Sequence, residues 1–420
     1  MAIYRTLRSF LVITIILNMV VLTGCSSGGS SDEELSNTDL IEPRGAHTAT
    51  LLGNGKVMVI GGRGYSGSSL PSGLSSTETY DPSFVPDPDD PTKGAWSLSG
   101  SIEEGRFDHS ATVLDDGTIL VAGGDEKPGA VRGYYSLPPF ARMSTEVYNP
   151  SNGEWSTVGS MINEHGAGHT ATLLPSGNVL VTGGMRDAEE KDVPRITSPH
   201  SELYDPATKT WSAIGNMSQA RAKHKAVLMT NGQVLVVGSD SYELYDPSSG
   251  TWTKTGNMPV DHGGQFTATL LEDGRVIVVG GGISRMVEGV EVSPPTPIDA
   301  VSLYDPSSDK WSHGANMLNS SLGHTATLMT EGSVLIVGHI LAQIYDPASD
   351  TWSSAGQMST ERGAAMIDGP AGSFHTATLM KDNSVLIIGG NSLELNKYGA
   401  VLERTGVASV ESYNTNTGWD

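Results

Sequence analysis

Histidine is the first residue in this sequence whose spacing invites chemistry. His47, His109, His169, His224, His324 and His375 occupy six of seven corresponding positions, with Phe266 at the fifth, at intervals of 42 to 62 residues. A metal centre gathers three or four ligands within about 2 Å of one ion. A histidine found once per unit is better suited to a hydrogen bond made once per unit, so no metal site is expected. Arginine is the second candidate, because its planar fork of donors matches carboxylates and sulfates. Arg44, Arg106, Arg221 and Arg362 recur at one repeat position, and Glu78, Glu146, Glu202, Glu243 and Glu411 recur at another. Those two sets are expected to form structural pairs between units. Arg63, Arg132, Arg186 and Arg285 do not recur, which makes them the ligand-binding candidates. Tyr134 and Tyr135, crowded with Phe140 beside Pro138-Pro139, join them as rings that would stack on a sugar or peptide. No Ser-His-Asp order, phosphate loop or zinc spacing occurs, so no catalytic residue is assigned. Asp87-Pro88-Asp89-Asp90 reads as a turn and lacks the alternating ligands of an EF-hand loop.

The elements that must position these residues are short strands. A unit of His-Thr-Ala-Thr-Leu-Leu, turn, Val-Leu-Val-x-Gly-Gly, gap, Glu-x-Tyr-Asp-Pro, turn, Trp runs seven times along the chain. One of the seven tryptophans (Trp96, Trp155, Trp211, Trp252, Trp311, Trp352, Trp419) falls in each. Six residues beyond them lie Ile102, Met161, Met217, Met258, Met317 and Met358. Pairs such as Asn54-Gly55 and Asp116-Gly117 predict two-residue type I′ hairpins. Runs such as Val234–Val237 predict strands buried on both faces. Asp-Pro ends strand three, since proline cannot donate to the ladder. Four antiparallel strands repeated radially make a β-propeller. Paired glycines followed by Tyr and Trp at fixed offsets resemble the Kelch family, over residues 41–420. The expected fold is all-β: a seven-bladed Kelch-type propeller with four antiparallel strands per blade.

The Ala-Thr-Leu-Leu variant also resembles the propeller of the galactose oxidase-like group. That resemblance implies a copper centre built on a tyrosine crosslinked to cysteine, but Cys25 is the only cysteine and the repeats run to the last residue. Copper-radical oxidase activity is therefore not expected. A similarity to the Kelch-type sialic acid mutarotases of bacterial periplasms implies an acidic-sugar substrate as the alternative.

Arg5 and Arg8 precede an apolar run from Phe10 to Leu22, too short to span a bilayer and suited to a signal peptide. It ends in Leu22-Thr23-Gly24-Cys25, which resembles the bacterial lipobox, with Cys25 as acyl acceptor and a covalent lipid as the one expected prosthetic group. Ser26 in place of the aspartate that retains such lipoproteins at the inner membrane implies export to the outer membrane. The expected organisation is 1–24 signal peptide, 25–34 lipidated flexible tether and 35–420 propeller. Cleavage after residue 24 removes two arginines, taking the net charge from −22 to −24, which disfavours nucleic acid as a partner. The expected partners are a membrane, through the lipid, and a protein or glycan.

Blade seven reaches Trp419-Asp420 and lacks the end of its fourth strand. Residues 35–41 match the Trp352-to-Met358 spacing, so an N-terminal strand is expected to complete that blade, with Ile41 at the methionine position. Strand direction places the connections between blades and the loops after strand two on one face. Eleven of the twelve arginines beyond residue 24 fall there. The loops are long at 63–75, 125–143, 185–200, 282–300 and 391–408 and nearly absent in blades four and six. The expected function is a cell-envelope lipoprotein that binds a protein or glycan through this Arg-bearing face.

Overall fold

The strand signals of each repeat form one antiparallel sheet. The computed structural model describes residues 39–64, 72–85, 94–126, 141–188, 195–287, 290–362, 374–395 and 401–420. The expected signal peptide, Cys25, the whole tether and the loop holding Arg132, Tyr134 and Tyr135 lie outside them. Among the described residues there are seven four-stranded sheets and no helix. In the first, Thr48–Leu51, Val57–Ile60, Ser76–Tyr80 and Trp96–Ser101 pair in sequence order. The first strands of successive sheets pack side by side, and that of the seventh, Thr376–Leu379, packs against Thr48–Leu51 of the first. The sheets thus stand radially around an axis lined by seven first strands, the architecture of a propeller.

Each second strand, such as Val57–Ile60, Val234–Val237 or Val385–Ile388, is buried along its whole length. Its two rows of side chains face two neighbouring sheets, so the run is continuously apolar rather than alternating. Met58 and Ile60 of sheet one pack with Ile119 and Val121 of sheet two, and equivalent clusters fill the other interfaces. Tyrosine in strand three lies directly opposite tryptophan in strand four, with ring centroids 5.0–5.2 Å apart. In the last two sheets the tryptophan Nε1–H donates to the preceding sheet, Trp352 to the Ala315 carbonyl and Trp419 to that of Ala355.

The turn after strand one differs from the type I′ expectation. Gly55 N–H donates to the Leu52 carbonyl, Leu52 N–H donates to the Lys56 carbonyl, and Gly55 is left-handed at φ 88° while Asn54 is not. This is a three-residue loop, a turn closed by one left-handed residue, and the same bonds recur in all seven sheets, with Asn383 at φ 67° in the last. A type I′ turn needs two left-handed residues; here the residue before glycine turns its side chain onto the backbone instead, as Asn54 Oδ1 accepts from Lys56 N–H.

The seventh sheet draws on both parts of the chain. Its fourth strand is Gly418–Trp419. The Leu40 N–H donates to the Ala408 carbonyl at 2.9 Å, the bond that Ile102, Met161, Met217, Met258, Met317 and Met358 make in the other sheets. Leu40 is fully buried among Leu386 and Ile388 of sheet seven and Val57 and Val59 of sheet one. The register is one residue earlier than the spacing suggested: Ile41 is 45% exposed.

Candidate functional site

The face carrying the inter-sheet connections is organised by three rings. Four residues beyond the buried Leu, Ile or Met of each connection stand Arg44, Arg106, His165, Arg221, His262, Ser321 and Arg362. Two residues before each strand-three tyrosine stand Glu78, Glu146, Glu202, Glu243, Ser302, Gln343 and Glu411. The Arg106 and Arg362 guanidinium groups lie 3.0 Å from Glu146 and Glu411, and Arg221 lies 3.4 Å from Glu243. Arg44, Arg106 and Arg362 have no exposed surface. Each also donates to a glycine carbonyl at the end of strand two, Gly61, Gly123 or Gly389. The glutamates accept backbone N–H bonds from the connection, as Glu202 does from Ile162 and Asn163. Burial lowers the arginines from their usual range, with the facing carboxylates opposing it. Burial alone would raise Glu411, but the Ser359 N–H and the Arg362 charge hold it below its ordinary value.

Exceptions to the pairing come in matched sets. His165 Nδ1 lies 2.7 Å from the Gly183 carbonyl and its Nε2 lies 3.3 Å from Glu202. His262 meets Ser302 instead, at 2.9 Å, and burial lowers its pKa. Where the cation is missing, at Ser321, the anion is missing too, and Gln343 exchanges amide hydrogen bonds with Asn319. No sheet carries a buried charge without its partner at this position, as burial requires.

The second ring is the repeated histidines. Each Nε2 lies 2.9–3.2 Å from the hydroxyl that follows the corresponding residue of the preceding sheet: His109 on Thr48, His169 on Ser110, His224 on Thr170, His324 on Thr267, His375 on Thr325 and His47 on Thr376. This is the repeated structural bond expected from the spacing. Among the described residues no group of three or more His, Cys, Asp or Glu is placed to hold a metal ion. Burial holds His47, His224, His324 and His375 at about 3 and His169 at about 4, and lowers His109 well below its ordinary value. These groups stay neutral in the folded chain, whereas unfolded histidine protonates near pH 6.5. The unfolded state therefore binds more protons below that pH, and stability falls as pH drops from about 6.5 toward about 4. Unfolding near pH 5 is expected to take up close to one proton per ring histidine, read from the slope of unfolding free energy against pH. A flat profile across that window would contradict the burial.

The third ring lies just before the histidines. Ala46, Asp108, Gly168, Lys223, Gln265, Gly323 and Phe374 all have φ between 51° and 81°. Neighbours join by backbone bonds, Asp108 N–H to the Ala46 carbonyl, Ala46 N–H to that of Phe374 and Lys223 N–H to that of Gly168. Five of the seven are non-glycine residues, so the left-handed conformation recurs at this position with its backbone strain.

Of the expected ligand-binding residues, Arg63 is engaged. Its Nη2 lies 2.9 Å from Asp108, and its guanidinium carbon stands 4.3 Å from the Phe107 ring centre and 5.3 Å from that of Phe374. Arg186 lies in a short ladder with Ile196, partly exposed. The Arg285 backbone pairs with Val292 in the hairpin of sheet five. Arg132, Tyr134 and Tyr135 fall outside the described residues, so the structure does not bring the six together. Two further arginines stitch the loops of sheets one to three: Arg195 grips the buried Asp125 with two bonds of 2.7 and 2.9 Å, and Arg142 spans Glu104 and Glu126. Above sheets four and six the loop is a tight turn closed by Gly238 to Ser241 and Gly338 to Leu341. The described parts of the loops are therefore knitted together over sheets one to three, and the connections over four and six are tight turns.

With this geometry in place, the fold is a β-propeller whose repeats are similar to those of Kelch-repeat proteins. No family model matches the chain. Human Kelch-like protein 21 is 34% identical over 82 residues, 20% of this chain and 12% of that protein. The F-box/kelch-repeat protein At1g30090 of Arabidopsis thaliana is 30% identical over 125 residues, 30% of this chain and 27% of that protein. The similarity thus spans a minor part of either relative. Among solved structures, a fungal alcohol oxidase of the AA5 family in complex with copper superposes with a TM-score of 0.61 at 15% identity, covering 88% of this chain and 75% of that one. YjhT superposes with a TM-score of 0.50 at 14% identity, covering 92% and 99%. At such identities these neighbours show the fold alone.

Proposed function

We propose that this chain is a binding scaffold of the cell envelope, anchored by a lipid on Cys25 and exported to the outer membrane, which holds a protein or glycan on its loop-bearing face. The observation that carries this reading is the uneven rim: stitched loops over sheets one to three beside tight turns over sheets four and six. A rigid scaffold with irregular loops on one face is a common way to present a recognition surface. The partial similarity to Kelch-like proteins favours a protein ligand. The resemblance to sialic acid mutarotases makes a carbohydrate-modifying activity on an acidic sugar the alternative, and turnover of such a sugar would select it.

The test is a glycan array and a crosslinked pull-down with residues 26–420. Replacing Arg63, Arg132, Arg186 and Arg285 together by alanine is expected to weaken capture about tenfold or more. Added salt should weaken it as well, since exposed charges are screened beyond about 10 Å at 0.1 M. Undiminished capture by the fourfold variant would remove these residues from the site. The anchor is tested separately, by metabolic labelling with a fatty-acid analogue and its loss in Cys25→Ala.

A further inference from the structure

The ring of histidine–hydroxyl bonds is broken at one place, and the break puts a lysine into the channel. At the fifth position Phe266 replaces histidine, and the hydroxyl that would have faced it is replaced by Lys225. Phe266 is buried among Val227, Leu235 and Val276 and has no polar atom to offer. Lys225 opens the first strand of sheet four, Lys225–Leu228, only partly exposed. The seven first strands contain no aspartate or glutamate, and Lys225 is their only lysine or arginine. In a chain with 47 acidic and 25 basic residues, the inner wall thus carries one formal charge, and it is positive.

The setting of that charge is specific. Its field adds to the burial that lowers His324, which sits two sheets further on and is held on Thr267, as well as to that which lowers His224 beside it. Its strand is an innermost one, packed between the first strands of sheets three and five. Desolvation lowers its own pKa, and no described carboxylate forms an ion pair with it. Two residues before Lys225, and at the equivalent position of sheet five, the left-handed ring carries the exposed Lys223 and Gln265, whose Oε1 is buried with no hydrogen-bond partner. These lie on the sheet-four side, where the connection is a tight turn.

We propose that the channel mouth between sheets four and five is a carboxylate-binding site, with Lys225 as the charge at its floor and Lys223 and the Gln265 amide beside it. A spacer filling the gap beside Phe266 needs no charge, and an aliphatic side chain would fill it without the cost of desolvating an ammonium. A single half-buried ammonium at the floor, with Lys223 exposed at the mouth, suits a monoanion, whereas phosphate recognition favours several converging cations or arginine forks. The ligand class is an acid-bearing molecule that inserts its carboxylate into the opening. This deepens the reading of the loop face as a binding surface and rests on it, but its test is independent of the loops.

The experiment uses the full mature chain with reductively ¹³C-methylated lysines, and acetate and inorganic phosphate as probes at constant ionic strength and pH. The Lys225 resonance, identified by its loss in Lys225→Met, is expected to shift saturably with acetate, with a dissociation constant of about 1 mM, and less with phosphate. The Lys225→Met variant should remain folded and lose any acetate-dependent rise in melting temperature. As a control for packing, a second variant, Lys225→Thr with Phe266→His, restores the pattern of the six intact ring bonds and should also abolish the response. No saturable shift, stronger phosphate binding, or an acetate-dependent rise persisting in both variants would overturn the proposal. Loss of macromolecular capture in the fourfold arginine variant with the acetate response intact separates the two readings.

Discussion

Replacing Arg362 by serine is expected to destabilise the folded chain by about 3–5 kcal/mol, because it leaves the Glu411 carboxylate buried without its cation. The loss includes two further bonds, to the carbonyls of Gly389 and Ser409. Sheet six shows how the same position works without charge: Ser321 and Gln343 stand there, and the amide satisfies the connection from both of its ends. Adding Glu411→Gln to Arg362→Ser should therefore recover stability relative to the single variant, with a coupling of at least about 1 kcal/mol in a double-mutant cycle. Denaturant unfolding of the four proteins measures it. A double variant as unstable as the sum of its singles would mean that the matched exceptions carry no energetic logic.

Leu40→Ala is the second substitution with a large expected effect, about 2–5 kcal/mol, since a fully buried side chain between sheets one and seven leaves a cavity. Ile41→Ala, one residue on and 45% exposed, should change stability by no more than about 0.5 kcal/mol. The contrast decides the register. Equal effects, or a larger one at Ile41, would return the closing segment to the alignment that residue spacing alone suggests.

Much of the fold was readable because one unit recurs. The tryptophans fix the period, the Val-rich runs fix the strands between two neighbours, and the repeated histidines were legible as structural because recurrence disperses them around an axis. Local register was harder. Asn54-Gly55 fits two hairpins, and only the bond from Leu52 to Lys56 separates them. Spacing picked Ile41 over Leu40, and because both are apolar no change of residue type corrected it.

Of the candidate site, less could be read. Arg63 looked free because its partner Asp108 lies 45 residues away and its two aromatic neighbours come from different repeats. The Arg195 clamp on Asp125 crosses 70 residues. Recurrence did flag Arg44, Arg106, Arg221 and Arg362 as structural. Its failures, at Ser321 with Gln343 and at Phe266 with Lys225, hold the more specific information, and aligning the seven units column by column exposes them.

Tandem repeats laid in an open row have two outermost members, each with a bare flank that needs capping, and such arrays melt from their ends. A seventh sheet holding both Trp419 and the Leu40 bond leaves no outermost member. Opening any one sheet must then break two interfaces instead of one, so local melting has no preferred starting point along the chain. Slow exchange of the buried amide protons would be shared among the seven second strands rather than graded from one terminus to the other.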